Sequence, residues 1–89
     1  MASGHASLEA MNRMISTLTK FMTLQEQVKS SIKNDYAITG TEWHDEKYQE
    51  LELAINDVIS AISASYVELS NCQTRIQVYR RALEDYLNS

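Results

Sequence analysis

The chain has 89 residues, a formal net charge of −4 and a single cysteine. A chain of this length forms one small domain with a marginal core of its own, and small helical chains often gain stability by associating. The acidic balance argues against nucleic-acid binding, which needs a basic face, and the lone cysteine excludes an internal disulfide. No apolar run reaches the roughly 18 residues of a membrane-spanning helix, and the first eight residues lack the basic stretch and apolar core of a cleavable signal peptide.

The first predicted element is an amphipathic helix over residues 8–37. Residues 1–7 are small and polar, and we expect them to be disordered, with Ser7 as the N-cap of the helix. Apolar side chains recur mostly at spacings of three and four, which places them on one face: Leu8, Met11, Ile15, Leu18, Met22, Val28, Ile32 and Tyr36. Gly40 and its weakly helix-forming neighbours predict a turn at residues 38–42.

The second predicted helix, over residues 43–88, carries a heptad repeat. One apolar series has members seven residues apart: Tyr48, Ile55, Ile62, Leu69, Ile76 and Leu83. A second series follows three residues behind each member: Leu51, Val58, Ser65, Cys72, Tyr79 and Tyr86. Alternating spacings of three and four are the core rows of coiled-coil packing, so we expect both series, Cys72 included, to be buried. Two long amphipathic helices joined by a short turn predict an all-α, antiparallel helical hairpin in a single domain, residues 8–89.

The two predicted helices differ in length, and this difference predicts a partner. Paired from the turn outwards, the first helix ends near the level of Cys72. Large side chains beyond that level would stay exposed, each losing on the order of 1.5–3 kcal/mol of burial. We therefore expect a second hairpin to complete an elongated four-helix bundle. The predicted dimer interface consists of Ile62, Leu69, Ile76, Tyr79 and Leu83.

The sequence shows no pattern of residues typical of catalysis or cofactor binding. It contains no glycine-rich phosphate loop, nucleophile elbow or cluster of metal ligands. His44, Asp45 and Glu46 are adjacent, but consecutive helical residues point about 100° apart and so do not converge on a metal. We predict a protein that is not an enzyme, with no catalytic residues, no metal site and no cofactor.

The middle of the chain carries a recognisable motif. Trp43 is followed by Asp45 and, five residues after Trp43, by Tyr48. This pattern resembles the Trp-x-Gly turn of the WXG family of early secreted antigens, hundred-residue proteins exported by bacterial type VII (ESX) secretion systems. The chain departs from that family at Asp45, which stands in place of glycine. It departs again in the export signal, a tyrosine followed four residues later by an acid, because Tyr79 is followed at that spacing by Leu83.

The resemblance implies a helical hairpin that pairs with itself or with a related hairpin. It implies a secreted effector, or an adaptor exported together with a larger toxin, that leaves a cytoplasmic pool without a cleavable signal peptide. In such a protein Trp43, Asp45 and Tyr48 form a turn that a secretion ATPase or a partner recognises. Two alternatives also fit the heptads: an intracellular coiled-coil scaffold or chaperone subunit, and a needle or filament subunit. Needle subunits usually have prolines in the turn, whereas this chain contains none.

Overall fold

A computed structural model of the chain describes residues 3–89 and contains two helices. Helix α1 spans Gly4–Glu42 and helix α2 spans Glu46–Leu87. They pack antiparallel as a hairpin 66 Å long, 19 Å wide and 15 Å thick. The predicted all-α hairpin is therefore confirmed. Within the described range, neither helix has a stretch long and apolar enough to cross a membrane.

Helix α1 begins earlier than predicted. Its N-cap is Ser3, whose hydroxyl accepts a hydrogen bond from the Ala6 N–H at 3.0 Å. Ser3 thus takes the capping role expected of Ser7, and the expectation of disorder over residues 1–7 is wrong from residue 3 onwards, whereas Met1 and Ala2 lie outside the described residues. The side chain of Leu87 packs over Gly4, where a Cβ would lie 2.7 Å from the Leu87 Cδ2. This contact holds the start of α1 against the end of α2.

The turn lies at residues 43–45 and not at residues 38–42. Gly40 sits inside α1, and no described residue, Gly40 included, has a positive φ. The Thr39 hydroxyl donates to the Asp35 carbonyl and the Thr41 hydroxyl donates to the Ile38 carbonyl, so both hydroxyls find hydrogen-bond partners within the helix. The weak helix formers that predicted a break are therefore tolerated, and the chain reverses between Trp43 and Asp45.

The core is a single seam between the two helices. Only Leu18 and Met22, 7% and 8% exposed, are fully buried among the described residues. The remaining seam residues of α1 are partly buried: Leu8, Met11, Ile15, Gln25, Lys29, Ile32 and Tyr36. In α2 they are Tyr48, Ile55, Ile59, Ile62, Tyr66, Leu69, Gln73, Ile76, Arg80, Leu83 and Leu87. Spacings of three and four along both helices are those of two-helix packing, but four polar side chains occupy the seam and keep the core small.

The expected difference in helix length is absent. Helix α1 has 39 residues and α2 has 42, so they cover each other along their whole length. Ile76 and Leu83, which were expected to extend beyond the first helix, are partly buried in the seam. The earlier start and later end of α1 together remove the gap that predicted a second chain at this end of the hairpin.

Candidate functional site

One long side of the hairpin carries two rows of side chains that are mostly apolar and exposed. The α1 row has members seven residues apart: Met14, Phe21 and Val28. The α2 row is the second predicted heptad series: Leu51, Val58, Ser65, Cys72, Tyr79 and Tyr86. Phe21 is 49% exposed and Tyr79 is 58% exposed. We call these two rows together the apolar face.

Two contacts show that both rows lie on the same side of the seam. The Gln25 Nε2 donates to the Ser65 Oγ at 2.9 Å, which brings the α2 row to the edge of α1. Asp35 continues the α1 row one heptad beyond Val28, and it lines the same surface groove as Leu51 of the α2 row. Helix geometry then carries both rows along the same side, because residues seven apart share a face.

The opposite side of the seam is polar along its length, and we call it the polar face. Its rows are Asn12, Thr19 and Glu26 in α1, and Asn56, Ser63, Ser70 and Gln77 in α2. The Gln73 Nε2 donates to the Ile15 carbonyl at 3.2 Å and to the Thr19 hydroxyl. The Arg80 guanidinium donates to the Asn12 Oδ1 at 2.8 Å. Along this edge, side chains of α2 therefore form hydrogen bonds with α1 of the same hairpin.

The structure divides the predicted interface into two groups. Ile62, Leu69, Ile76 and Leu83 are partly buried in the seam, where they pack within the chain. Tyr79 lies on the apolar face. The predicted site therefore joined residues that stabilise the hairpin with one residue that is free to contact a partner. Phe21, Val28 and Val58 also lie on the exposed face and were not among the predicted interface residues.

The second heptad series was placed in the wrong row. The true second row of the seam follows four residues behind the first series, not three: Ile59, Tyr66, Gln73, Arg80 and Leu87. Cys72 is accordingly exposed, and its predicted burial is wrong. Three residues of the true row, Ile59, Tyr66 and Leu87, could have identified it from the sequence. Gln73 and Arg80 in that row, however, make it less apolar than the row from Leu51 to Tyr86.

The hairpin tip is organised by Asp45, which is the N-cap of α2. Its Oδ1 accepts from the backbone N–H groups of Lys47 at 2.9 Å and Tyr48 at 3.2 Å, and from the Trp43 indole at 2.9 Å. Hydrogen bonds to the Asp45 carboxylate, first from the Tyr48 N–H and next from the Trp43 indole, hold the pKa of Asp45 below its ordinary value. An acid at this position therefore caps the helix and fixes the tryptophan, neither of which glycine can do with a side chain.

Two tyrosines close the hairpin directly below the tip. The Tyr36 hydroxyl donates to the Tyr48 carbonyl at 2.8 Å, and the Tyr48 hydroxyl donates to the Tyr36 carbonyl at 2.6 Å. Their rings stack with centroids 4.3 Å apart. A Cβ on Gly40 would lie 2.6 Å from the Tyr48 Cζ, so only glycine leaves room for this ring. Partial burial is the main cause that raises the pKa of the Tyr36 phenol, and the neighbouring Tyr48 and Glu52 raise it further.

Trp43 stands at the end of the molecule as an accessible aromatic surface. Its ring packs edge-on against Tyr48 with centroids 5.7 Å apart, and 39% of the residue is exposed. The structure thus brings together the three predicted turn residues, Trp43, Asp45 and Tyr48, through a hydrogen bond and an aromatic contact. From residue 3 onwards, no three His, Cys, Asp or Glu side chains are grouped as metal ligands would be.

No family model, curated protein or solved structure matches this chain. The resemblance of the tip to the WXG turn therefore stays an expectation from the sequence, carried by Trp43 and Tyr48.

Proposed function

We propose that this chain is a non-catalytic protein that binds another helical protein through its apolar face and is exported by a type VII-like secretion system. In this role it is a WXG-like secreted effector, or an adaptor that leaves the cell with a larger toxin. It moves from a cytoplasmic pool to the outside of a bacterial cell without a cleavable signal peptide, and the Trp43 tip is the part that a secretion ATPase reads.

The apolar face is the observation that carries the binding part of the proposal. It runs along a hairpin whose own core buries only Leu18 and Met22 fully among the described residues. Contiguous exposed apolar surface on a small protein marks an interaction site, and a flat helical face suits another helix better than a small ligand. Binding there would also supply burial that the seam lacks.

The tip supports the export part of the proposal. Trp43 is held by the Asp45 carboxylate and by Tyr48, yet it remains partly exposed. A fixed aromatic side chain presents contact area to a receptor at a low cost in side-chain entropy. The tip lies at the end of the long axis, away from most of the apolar face, so a receptor can contact it while a partner covers that face.

Export is tested by replacing Trp43 in a bacterial host that has a working type VII system. We expect Trp43→Ala to remain helical and to keep the mass of the unchanged protein in solution, but to stay in the cell because the receptor loses its contact. The measurement is the amount of protein in culture supernatant, with a cytoplasmic marker to exclude lysis. Leu53→Ala is the control, because Leu53 is 73% exposed and lies in neither row of the apolar face.

The outcome also separates the leading proposal from an intracellular scaffold or chaperone subunit. That alternative is favoured by Tyr79, which has Leu83 rather than an acid four residues later. Equal export of Trp43→Ala and the unchanged protein would remove the recognition role of the tip. Retention of the unchanged protein in a cell that exports other substrates would favour the scaffold.

A further inference from the structure

A groove opens between the two helices where the apolar face approaches the tip. Its volume is about 250 Å³. Sites that hold small-molecule ligands are larger, roughly 300–1,000 Å³, so this groove suits a single side chain of a partner better than a separate ligand. Its lining residues come from both helices: Ile32, Asp35, Tyr36, Thr39, Leu51 and Ile55.

Asp35 is the one charged residue in this lining. The Thr39 hydroxyl donates to the Asp35 carbonyl and the Tyr36 hydroxyl donates to the Tyr48 carbonyl, so both hydroxyls of the groove already donate within the hairpin. Among residues 3–89, no side chain forms a salt bridge with the exposed Asp35 carboxylate. The carboxylate is therefore available to a charged group from outside the chain.

Asp35 also interrupts a row that is otherwise apolar. It lies seven residues after Val28, where the α1 row of Met14, Phe21 and Val28 would continue. A partner that covers the apolar face must accommodate this carboxylate. An apolar side chain would remove its water without replacing the lost interactions, and an acidic side chain would repel it.

A basic side chain satisfies both parts of the groove. Its aliphatic stem can lie along Ile32, Leu51 and Ile55, while its charged end reaches the carboxylate at the rim. The aromatic ring of Tyr36 in the same lining also favours a cation.

The charge around the groove has the matching sign. Residues 35–57, which form the tip end of the hairpin, contain seven acidic residues and one lysine, a formal charge of −6 in a chain whose total is −4. That lysine is Lys47, whose ammonium lies 3.1 Å from the Glu50 carboxylate. A negative field at this end raises the local concentration of cationic groups near the groove.

We propose that the groove is a specificity site that receives an arginine or lysine side chain from a helix of the partner protein. This proposal rests on the proposed function, because both assign the apolar face to the binding of a helical protein. It goes further by naming the chemistry of the partner. Since Val28 and Asp35 lie about 10.5 Å apart along α1, the partner helix should carry an apolar residue one heptad from its basic residue.

Three synthetic amphipathic helical peptides, identical except at one position of their apolar row, test the proposal. That position holds arginine, leucine or glutamate, and fluorescence polarisation measures binding to the full chain at about 0.15 M salt. We expect the arginine peptide to bind about tenfold more tightly than the leucine peptide, because close charge pairs in an interface add affinity. The glutamate peptide should bind most weakly.

A reversal of charge in the groove provides the second arm. Asp35→Lys should reverse the order, so that the glutamate peptide binds best. Asp57→Lys is the matched control, because it changes the net charge equally at an exposed residue that does not line the groove. It should keep the original order, since distant charges are screened at this salt concentration. Circular dichroism confirms that both variants are folded.

The outcomes separate this proposal from the proposed function. An arginine preference that Asp35→Lys reverses and Asp57→Lys keeps supports the proposal. Equal binding of the three peptides, a preference for leucine, or equal effects of the two variants overturns it, while the apolar face would still bind a helical protein. An intact arginine preference with normal export of Trp43→Ala would overturn the export part of the proposed function alone.

Failure of all three peptides to bind also overturns the proposal. Light scattering then shows what covers the groove. A dimer mass would assign it to a second copy of the chain, and a monomer mass would also remove the binding part of the proposed function.

Discussion

The two long sides of the hairpin flank the same seam and are built from the same two helices, yet they offer opposite surfaces. On one side Phe21 and Tyr79 are about half exposed with apolar neighbours in their rows. On the other side Gln73 and Arg80 reach across to α1 and form hydrogen bonds. The backbone is equivalent on both sides, so the side-chain rows alone decide which side can bind a partner.

This difference shows that the apolar residues of a helical hairpin can serve two purposes, the seam between the helices and an exposed surface beside it. Two rows in each helix form the seam, and a third row on only one side adds apolar surface that the hairpin itself cannot cover. A hairpin that needed no partner would be expected to carry polar residues on both sides.

The largest effect is expected from a charge on the apolar face. Phe21→Asp would place a carboxylate where a partner covers the face, and it should dissociate the assembly and cost on the order of 2–4 kcal/mol of unfolding free energy per copy. Light scattering, against a monomer mass of 10.2 kDa, and thermal unfolding would measure both effects. Thr23→Asp, two residues away toward the polar face, is the control, and dissociation by that variant would show that the wrong face was assigned.

An intermediate effect is expected from the two glutamines at the edges of the seam. Gln73 beside the polar face donates two hydrogen bonds, whereas Gln25 beside the apolar face donates one and leaves its buried Oε1 without a partner. Gln73→Met should therefore destabilise the fold by about 1 kcal/mol, and Gln25→Met should be neutral or slightly stabilising. Urea unfolding at one protein concentration would compare them, and equal losses would contradict the assigned difference between the edges.

The smallest effect is expected at the tip, which belongs to neither face. The pKa of Asp45 is lower in the folded chain than the ordinary 3.8, so its carboxylate stabilises the fold above that pH, and the contribution is lost as the pH falls through the folded-state pKa. Asp45→Asn keeps a capping oxygen but not the charge. Its melting temperature should be slightly below that of the unchanged protein at pH 7 and should converge with it in acid, with the mass in solution unchanged. A constant difference from pH 7 to pH 2 would exclude the charge as the cause.

The sequence predicted much of the candidate site, but it did not show which of the residues pack within the chain and which are exposed to a partner. Trp43, Asp45 and Tyr48 were predicted as one motif, and the structure brings them into contact. Tyr79 was predicted to face a partner and is exposed, whereas Ile62, Leu69, Ile76 and Leu83 pack within the chain. The row from Leu51 to Tyr86 is more apolar than the row that contains Gln73 and Arg80, so hydrophobicity alone selected the wrong row for the seam.

The sequence by itself determined two long amphipathic helices joined by a turn near the middle of the chain, and the heptad series from Tyr48 to Leu83, because spacings of three and four specify one face of a helix. The tertiary structure decided which neighbouring row turns inward, because that depends on what α1 presents across the seam. It also decided the place of the turn, since the Tyr48 ring needs the space above Gly40 that a missing side chain leaves inside the helix. A row of residues has only one pattern in sequence, but whether it is core or surface depends on the helix that packs against it.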